Sequence, residues 1–203
     1  MFSILKDRAK PKASLTKAVS EDLHFIFNKP LKGPFPKGTK KIMVGMGCFW
    51  GVEKLFWNIP GVEMTAVGYS GGTSVNPSYK EVCSSKTGHN EVVMIHFNPD
   101  VLTFKTILKM FWEGHNPTQG MRQGNDIGSQ YRSGIYTYDR ADCDTALRTA
   151  TEYGKSLKSF GFGEITTEIQ EAREFYYAEG YHQQYLAKNP NGYCGIGGTG
   201  VCL

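Results

Sequence analysis

The sequence predicts an α+β domain: a two-layer α/β sandwich on a ferredoxin-like βαββαβ core, with long coils and an extended N-terminal arm. Three observations carry this. Short β-branched runs alternate with segments of helical period in the order β-α-β-β-α-β. Gly, Pro and Asn clusters separate them. The apolar share of 40% against 21% charged fits a packed core, and no apolar run reaches the roughly 20 residues of a membrane span.

Residues 1–39 are polar and rich in Pro and Lys, and read as an arm. The first strand is KKIMVGM, residues 40–46. In FWGVEKLFWNI, Phe49, Val52, Leu55 and Phe56 fall at helical spacing, and Pro60-Gly61 stops the helix. VEMTAVGYS is the second strand. The turn-rich stretch from Gly71 to Asn90 is long for a loop, a length that often goes with function. EVVMIHF is the third strand, closed by Asn98-Pro99. Phe104, Ile107, Leu108, Phe111 and Trp112 then line one face of a helix for which Thr103 is the expected N-cap.

A polar loop, Gly114 to Gln130, leads to a fourth strand, SGIYTYD. A polar helix near Ala141–Ser159, a strand EITTEIQ and a short helix within EFYYAEGYHQQYLAKNP extend the core. The end, NGYCGIGGTGVCL, holds five glycines within 191–200 and is expected to be mobile. The expected division is an arm (1–39), a catalytic domain (40–190) and a Gly-rich tail (191–203).

Charge is uneven. Residues 1–41 carry ten Lys/Arg and three Asp/Glu, and the remainder thirteen and sixteen, so the net +4 belongs to the arm. A nucleic-acid module would use that arm, but the acidic body and the lack of a basic-aromatic sheet motif argue against it. The arm is expected to be a solvated surface segment. The first residues lack the apolar region of a secretory signal, so a cytoplasmic location is expected, with mitochondrial targeting by the arm as the alternative.

The five cysteines are Cys48, Cys83, Cys143, Cys194 and Cys202. An odd, sparse set argues against a disulfide framework, and no CxxC pair or zinc-like His spacing is present. Cys48 lies between the first strand and the first helix, where free N–H groups and the helix dipole favour an anion. A lowered thiol pKa is expected. Gly45 and Gly47 are expected to open an approach to the sulfur, and Phe49 and Trp50 to form an apolar wall. Cys194 and Cys202, on a glycine tether, suit a disulfide relay with Cys48. Glu91, entering an apolar strand, suits a general acid whose pKa burial raises. Tyr79, Tyr131 and Asp126 lie in or beside the long loops. Cys83 is expected to be buried and structural, and Cys143 neutral filler. For His89, His115 and His182 the expectation is loop or helix hydrogen bonding, against the base of a Cys–His hydrolase.

Over residues 40–203 the stretches GCFWGVE, NPSYKEVCSSKTGHNEVV, NPTQGMRQGNDIGSQYRSGIY and FYYAEGYHQQYLAKNPNGYCGIGGTGVCL, in this order, resemble the peptide methionine sulfoxide reductase A family. The resemblance implies thiol-dependent reduction of the S epimer of methionine sulfoxide, free or in proteins. It implies Cys48 as nucleophile, Glu91 as acid, and Tyr79 and Tyr131 as oxygen-binding groups. Asp126, Phe49 and Trp50 would form the substrate site, and Cys194 and Cys202 would recycle the enzyme with thioredoxin as reductant. It implies no metal or organic cofactor. A monomer is the default, with no nucleic-acid or membrane partner. The alternative reading is a thiol peroxidase, which also passes through a sulfenic acid.

Overall fold

The computed structural model describes residues 22–203. The elements are strand β1 (Lys40–Met46), helix α1 (Phe49–Trp57), β2 (Val62–Ser70), α2 (Tyr79–Cys83), β3 (Asn90–Phe97) and α3 (Phe104–Gly114). A two-residue hairpin, β4 (Arg122–Gln123) and β5 (Asp126–Ile127), follows, then β6 (Ser133–Thr137), α4 (Arg140–Ser159), β7 (Glu168–Glu171), β8 (Tyr176–Tyr177) and α5 (Tyr185–Lys188).

The main sheet has the order β7-β6-β1-β3-β2-β8. Its inner four strands, β6-β1-β3-β2, pair antiparallel. With α1 and α3 as crossovers, they make the ferredoxin-like core that the sequence predicts. β7 extends it in parallel after α4, as a parallel neighbour joined through a helix must, and β8 closes the other edge.

The two-residue period of a strand sorts the core into two faces. Ile42, Val44 and Met46 of β1 join Val67 and Tyr69 of β2, Val93, Ile95 and Phe97 of β3, and Ile135 of β6 on one face. There they pack against Val52 and Phe56 of α1, Leu108 and Trp112 of α3, and Tyr153 and Leu157 of α4. The alternate residues Met43, Met64, Ala66, Val92, Met94 and Tyr136 line the other face.

That second face corrects one expectation. Residues 22–39 do not form a solvated arm: Leu31 is buried on it with Phe27 and Phe35, beside Phe175 and Tyr177. An apolar sheet face needs cover, and Phe27, Leu31 and Phe35 are the apolar residues that supply it. The proposed targeting role falls mostly on residues 1–21, outside the described residues.

The tail corrects another. Residues 191–203 lie packed on the helices. Val201 is buried, the Tyr153 hydroxyl donates to its carbonyl at 3.1 Å, and Leu203 N–H donates to Glu113 Oε1 at 2.8 Å. The glycines allow this close approach: a Cβ on Gly198 would collide with the Glu113 carbonyl. The long loop after β2 contains α2, and the strand expected from Glu164 starts at Glu168, because Thr166 N–H binds the Pro117 carbonyl instead of a sheet neighbour. Among the described residues no helix is long and apolar enough to cross a membrane.

Candidate active site

The site forms around the first turn of α1. Gly47, at φ +92, turns the chain out of β1, and a side chain there would strike Gln123. Gly45 serves packing, not access to the sulfur: a Cβ on it would collide with the Asn90 amide, which binds the Arg132 carbonyl at 3.0 Å. Cys48 then stands at the N-cap of α1 and is half-buried. No N–H of the first turn caps its sulfur with a hydrogen bond, but the Trp50 and Gly51 N–H groups lie near enough to favour the thiolate.

Burial outweighs them. The Cys48 thiol is pushed up to about 12, by desolvation first and by the nearby Glu91 carboxyl second. The expected lowering is therefore reversed in the resting protein. A helix N-terminus contributes typically ~0.3–1 kcal/mol, which is below about one pKa unit. Desolvation can move a buried group by about 3–5 units, so it wins.

Glu91 comes from the pleat of β3. It shares the face of Val93 and Ile95, which turns its carboxyl toward α1, and it is buried. Its Oε2 accepts the Phe49 N–H at 3.1 Å. Burial pushes its pKa up to about 8; the Phe49 N–H opposes this and the Asp126 charge adds to it. Glu91 therefore holds a proton at neutral pH, as expected of an acid.

Tyr79 begins α2, which a Ser78–Glu81 capping box starts, and its own N–H binds Glu179 Oε1 at 2.8 Å. Burial first, and then the neighbouring Cys83 side chain, raise its hydroxyl pKa above the usual tyrosine range. Tyr131 closes a short 3₁₀ turn, Ser129–Tyr131, and is raised by burial and then by the Glu91 charge. Both hydroxyls stay protonated and able to donate. Asp126 opens β5, and the Tyr193 hydroxyl of the tail donates to its Oδ2 at 3.2 Å.

Phe49 is buried, and Trp50 is half-buried, with its ring stacked on Tyr185 at 3.9 Å between centroids. The indole N–H donates to His182 Nδ1 at 3.0 Å.

Cys194 is exposed, yet it packs against the same helix turn: a Cβ on Gly51 would lie 3.2 Å from its sulfur. Cys202 is exposed at the other end of the tail, between buried Val201 and the Leu203–Glu113 contact on α3. So Cys48, Glu91, Tyr79, Tyr131, Asp126, Phe49, Trp50 and Cys194 gather around one helix end, and Cys202 is held on α3. Cys83 is exposed beside Tyr79, not buried as expected. Among the described residues no cluster of three His, Cys, Asp or Glu side chains could hold a metal ion.

His182 hydrogen-bonds, as expected, but its place within the site, and that of Glu179, were not legible in the sequence. His182 lies at the centre of the aromatic wall, 4.6 Å from Tyr79 and 5.1 Å from Phe49 between ring centroids. Glu179 receives the Tyr79 N–H and the Tyr69 hydroxyl. The signal was the polar run HQQ set between Tyr181 and Tyr185, too polar to read locally as buried. His115 and His89 do make local hydrogen bonds, His115 with the Phe111 carbonyl and Ser133, and His89 with the Ser74 carbonyl.

Comparisons with known proteins all point one way. Residues 40–199 match the family model described as "Peptide methionine sulfoxide reductase". The chain is 58% identical over 198 residues to peptide methionine sulfoxide reductase MsrA 1 of Synechocystis sp., covering 98% of this chain and 89% of that protein. It is similar in structure to methionine sulfoxide reductase A of Corynebacterium diphtheriae, at 45% identity and TM-score 0.80 over 84% of this chain and 83% of that one. Mxr1 of Saccharomyces cerevisiae, solved in complex with Trx2, aligns at 25% identity and TM-score 0.52 over 74% of this chain and 87% of that one.

Proposed function

The chain belongs to the peptide methionine sulfoxide reductase family, and from that premise we propose that it reduces the S epimer of methionine sulfoxide, free or in proteins, with Cys48 as the attacking thiol. The observation that carries this is the pairing at the start of α1: the Glu91 carboxyl bonds the N–H of the residue next to Cys48 and holds its proton to about pH 8.

The chemistry follows from that pairing. A sulfoxide oxygen leaves poorly unless it is protonated. Phe49 and Trp50 seat the S-methyl group, and Tyr79 and Tyr131 donate hydrogen bonds to the oxygen as charge builds on it. Glu91 protonates the oxygen while the Cys48 sulfur bonds to the substrate sulfur, and the carboxylate so formed takes up the thiol proton. That proton transfer lets a thiol with a pKa near 12 react without a standing thiolate. Transfer of the hydroxyl to Cys48 breaks the substrate S–O bond and releases methionine, leaving Cys48 as a sulfenic acid.

Cys194 then condenses with the sulfenic acid, forming a disulfide and releasing water. Cys202 attacks the Cys194 sulfur, frees the Cys48 thiol and leaves a Cys194–Cys202 disulfide. The dithiol of thioredoxin reduces that bond; the Trx2 complex of the yeast relative supports this choice of reductant. A reducing compartment, the cytoplasm, is part of the proposal, because the reductant is kept reduced there.

The experiment is stoichiometry without recycling. Cys194→Ser should release about one methionine per chain and then stop, the burst of a covalent step with no turnover. Full turnover with thioredoxin would contradict the relay, and activity retained in Cys48→Ser would contradict the nucleophile. The thiol peroxidase reading predicts faster consumption of hydrogen peroxide than of a methyl sulfoxide.

A further inference from the structure

Beneath α1 lies a chain of buried polar groups that the proposed chemistry does not use. His24, Glu53, Thr65 and Gln184 are all fully buried. They come from the N-terminal segment, α1, β2 and the turn before α5. Each hydrogen bond has one allowed direction. His24 Nδ1 accepts the Ile26 and Phe27 N–H groups at 3.2 Å each, so Nε2 carries the proton and donates to Thr65 Oγ1 at 3.0 Å. The Thr65 hydroxyl then donates to Glu53 Oε1 at 3.1 Å. Gln184 donates its side-chain amide to Glu53 Oε1 and its backbone N–H to Oε2, both at 2.7 Å. The circuit closes where Gln184 Oε1 accepts the Phe25 N–H at 3.0 Å. Three of these donors, the Thr65 hydroxyl and the side-chain and backbone N–H groups of Gln184, converge on the Glu53 carboxyl. Burial pushes His24 down to about 4, which keeps its ring neutral as this pattern requires.

The circuit ends at the substrate wall. Gln184 sits at φ 48, a left-handed conformation that a residue with a Cβ holds only when its surroundings impose it. The residues two before it and one after it bind Trp50: His182 accepts the indole N–H and Tyr185 stacks on the ring. If Gln184 relaxes, both Trp50 contacts move.

We propose that Glu53, through Gln184, is a positioning residue for Trp50, and that the segment 22–31 belongs to the substrate-pocket scaffold through His24 and Thr65. The inference rests on the reading of Trp50 as part of the wall for the S-methyl group.

The test is steady-state kinetics of the full chain on S-methionine sulfoxide with thioredoxin, together with single-turnover disulfide formation. Thr65→Val removes the bridging hydroxyl at nearly constant volume. It should raise KM about tenfold, equal to about 1.4 kcal/mol of binding, with kcat and the disulfide rate little changed. Thr65→Ser keeps the hydroxyl and should return KM toward the wild-type value. His24→Ala, placed outside the central sheet, should raise KM in the same direction by less. An unchanged KM in Thr65→Val or His24→Ala overturns the proposal. So does a fall in kcat alone, or an equal effect of Val and Ser at position 65. Wild-type chain inactive on the sulfoxide would overturn the underlying reading and the inference with it.

Discussion

Glu91 Oε2 accepts the N–H of Phe49 at 3.1 Å, which ties the buried carboxyl to the residue directly after Cys48. One backbone donor thus sets the position of the acid relative to the sulfur, and burial keeps the acid protonated. Glu91→Gln still donates a hydrogen bond to the oxygen but can neither give up a proton nor take the thiol's, so it should slow methionine release about 10²-fold or more, and Glu91→Ala, which loses the donor as well, should slow it further. In the wild type the rate should hold below about pH 8 and fall above it, and Glu91→Gln should lose that limb. A Glu91→Gln rate close to wild type in rapid-quench assays would remove the proton-transfer role.

The same burial predicts a stability effect. The Glu91 pKa rises from the ordinary 4.5 to about 8 in the folded chain. Between those values the unfolded chain has released its proton while the folded one keeps it, so the Glu91 contribution is full below 4.5 and is lost as pH rises through 8. Glu91→Gln escapes this, and its stability relative to wild type should grow across the window by on the order of a few kcal/mol. Glu53, also raised, to about 7, is present in both proteins and cancels in the difference. Urea titrations at several pH values test this, and parallel stability curves would contradict it.

Thiol reactivity should run against first intuition. With Cys48 pushed up to about 12, exposed Cys83, Cys194 and Cys202 should alkylate before it at neutral pH. Removing the carboxyl in Glu91→Gln should speed Cys48 labelling above pH 8, because the Glu91 charge is the second cause of the shift. Peptide mass spectrometry of briefly labelled protein gives the order, and Cys48 labelled first would contradict it.

The reversal at Cys48 shows where a sequence is readable. Its place between KKIMVGM and FWGVEKLFW was legible because both periods are local, and Glu91 was legible as a polar residue entering an apolar strand. The thiol pKa was not, because it depends on burial by the whole fold and on Glu91, 43 positions away. The Glu53–Gln184 contact spans 131 positions, and nothing local marks either residue as buried. The tail misled for a related reason. Five glycines argue for mobility, yet the same absence of side chains lets the chain lie against the α3 backbone.

Gly51 offers a selective probe of that docked tail. A Cβ there would lie 3.2 Å from the Cys194 sulfur and from Ile196 Cβ, tighter than normal packing. Gly51→Ala should improve helix propensity by about 1 kcal/mol while it displaces Cys194. The methionine burst should persist while Cys48–Cys194 disulfide formation slows. Stopped-flow and quenched thiol counts separate the two steps, and an unchanged disulfide rate would show that the docked position of Cys194 does not matter.

The central claim, that a Cys48-initiated relay reduces one epimer of methionine sulfoxide, is tested most directly by supplying the separated S and R sulfoxides with thioredoxin, thioredoxin reductase and NADPH. The predicted result is NADPH oxidation matched by methionine from the S epimer, none from the R epimer, and none from either with Cys48→Ser. Equal use of both epimers, or turnover that survives loss of Cys48, would contradict it.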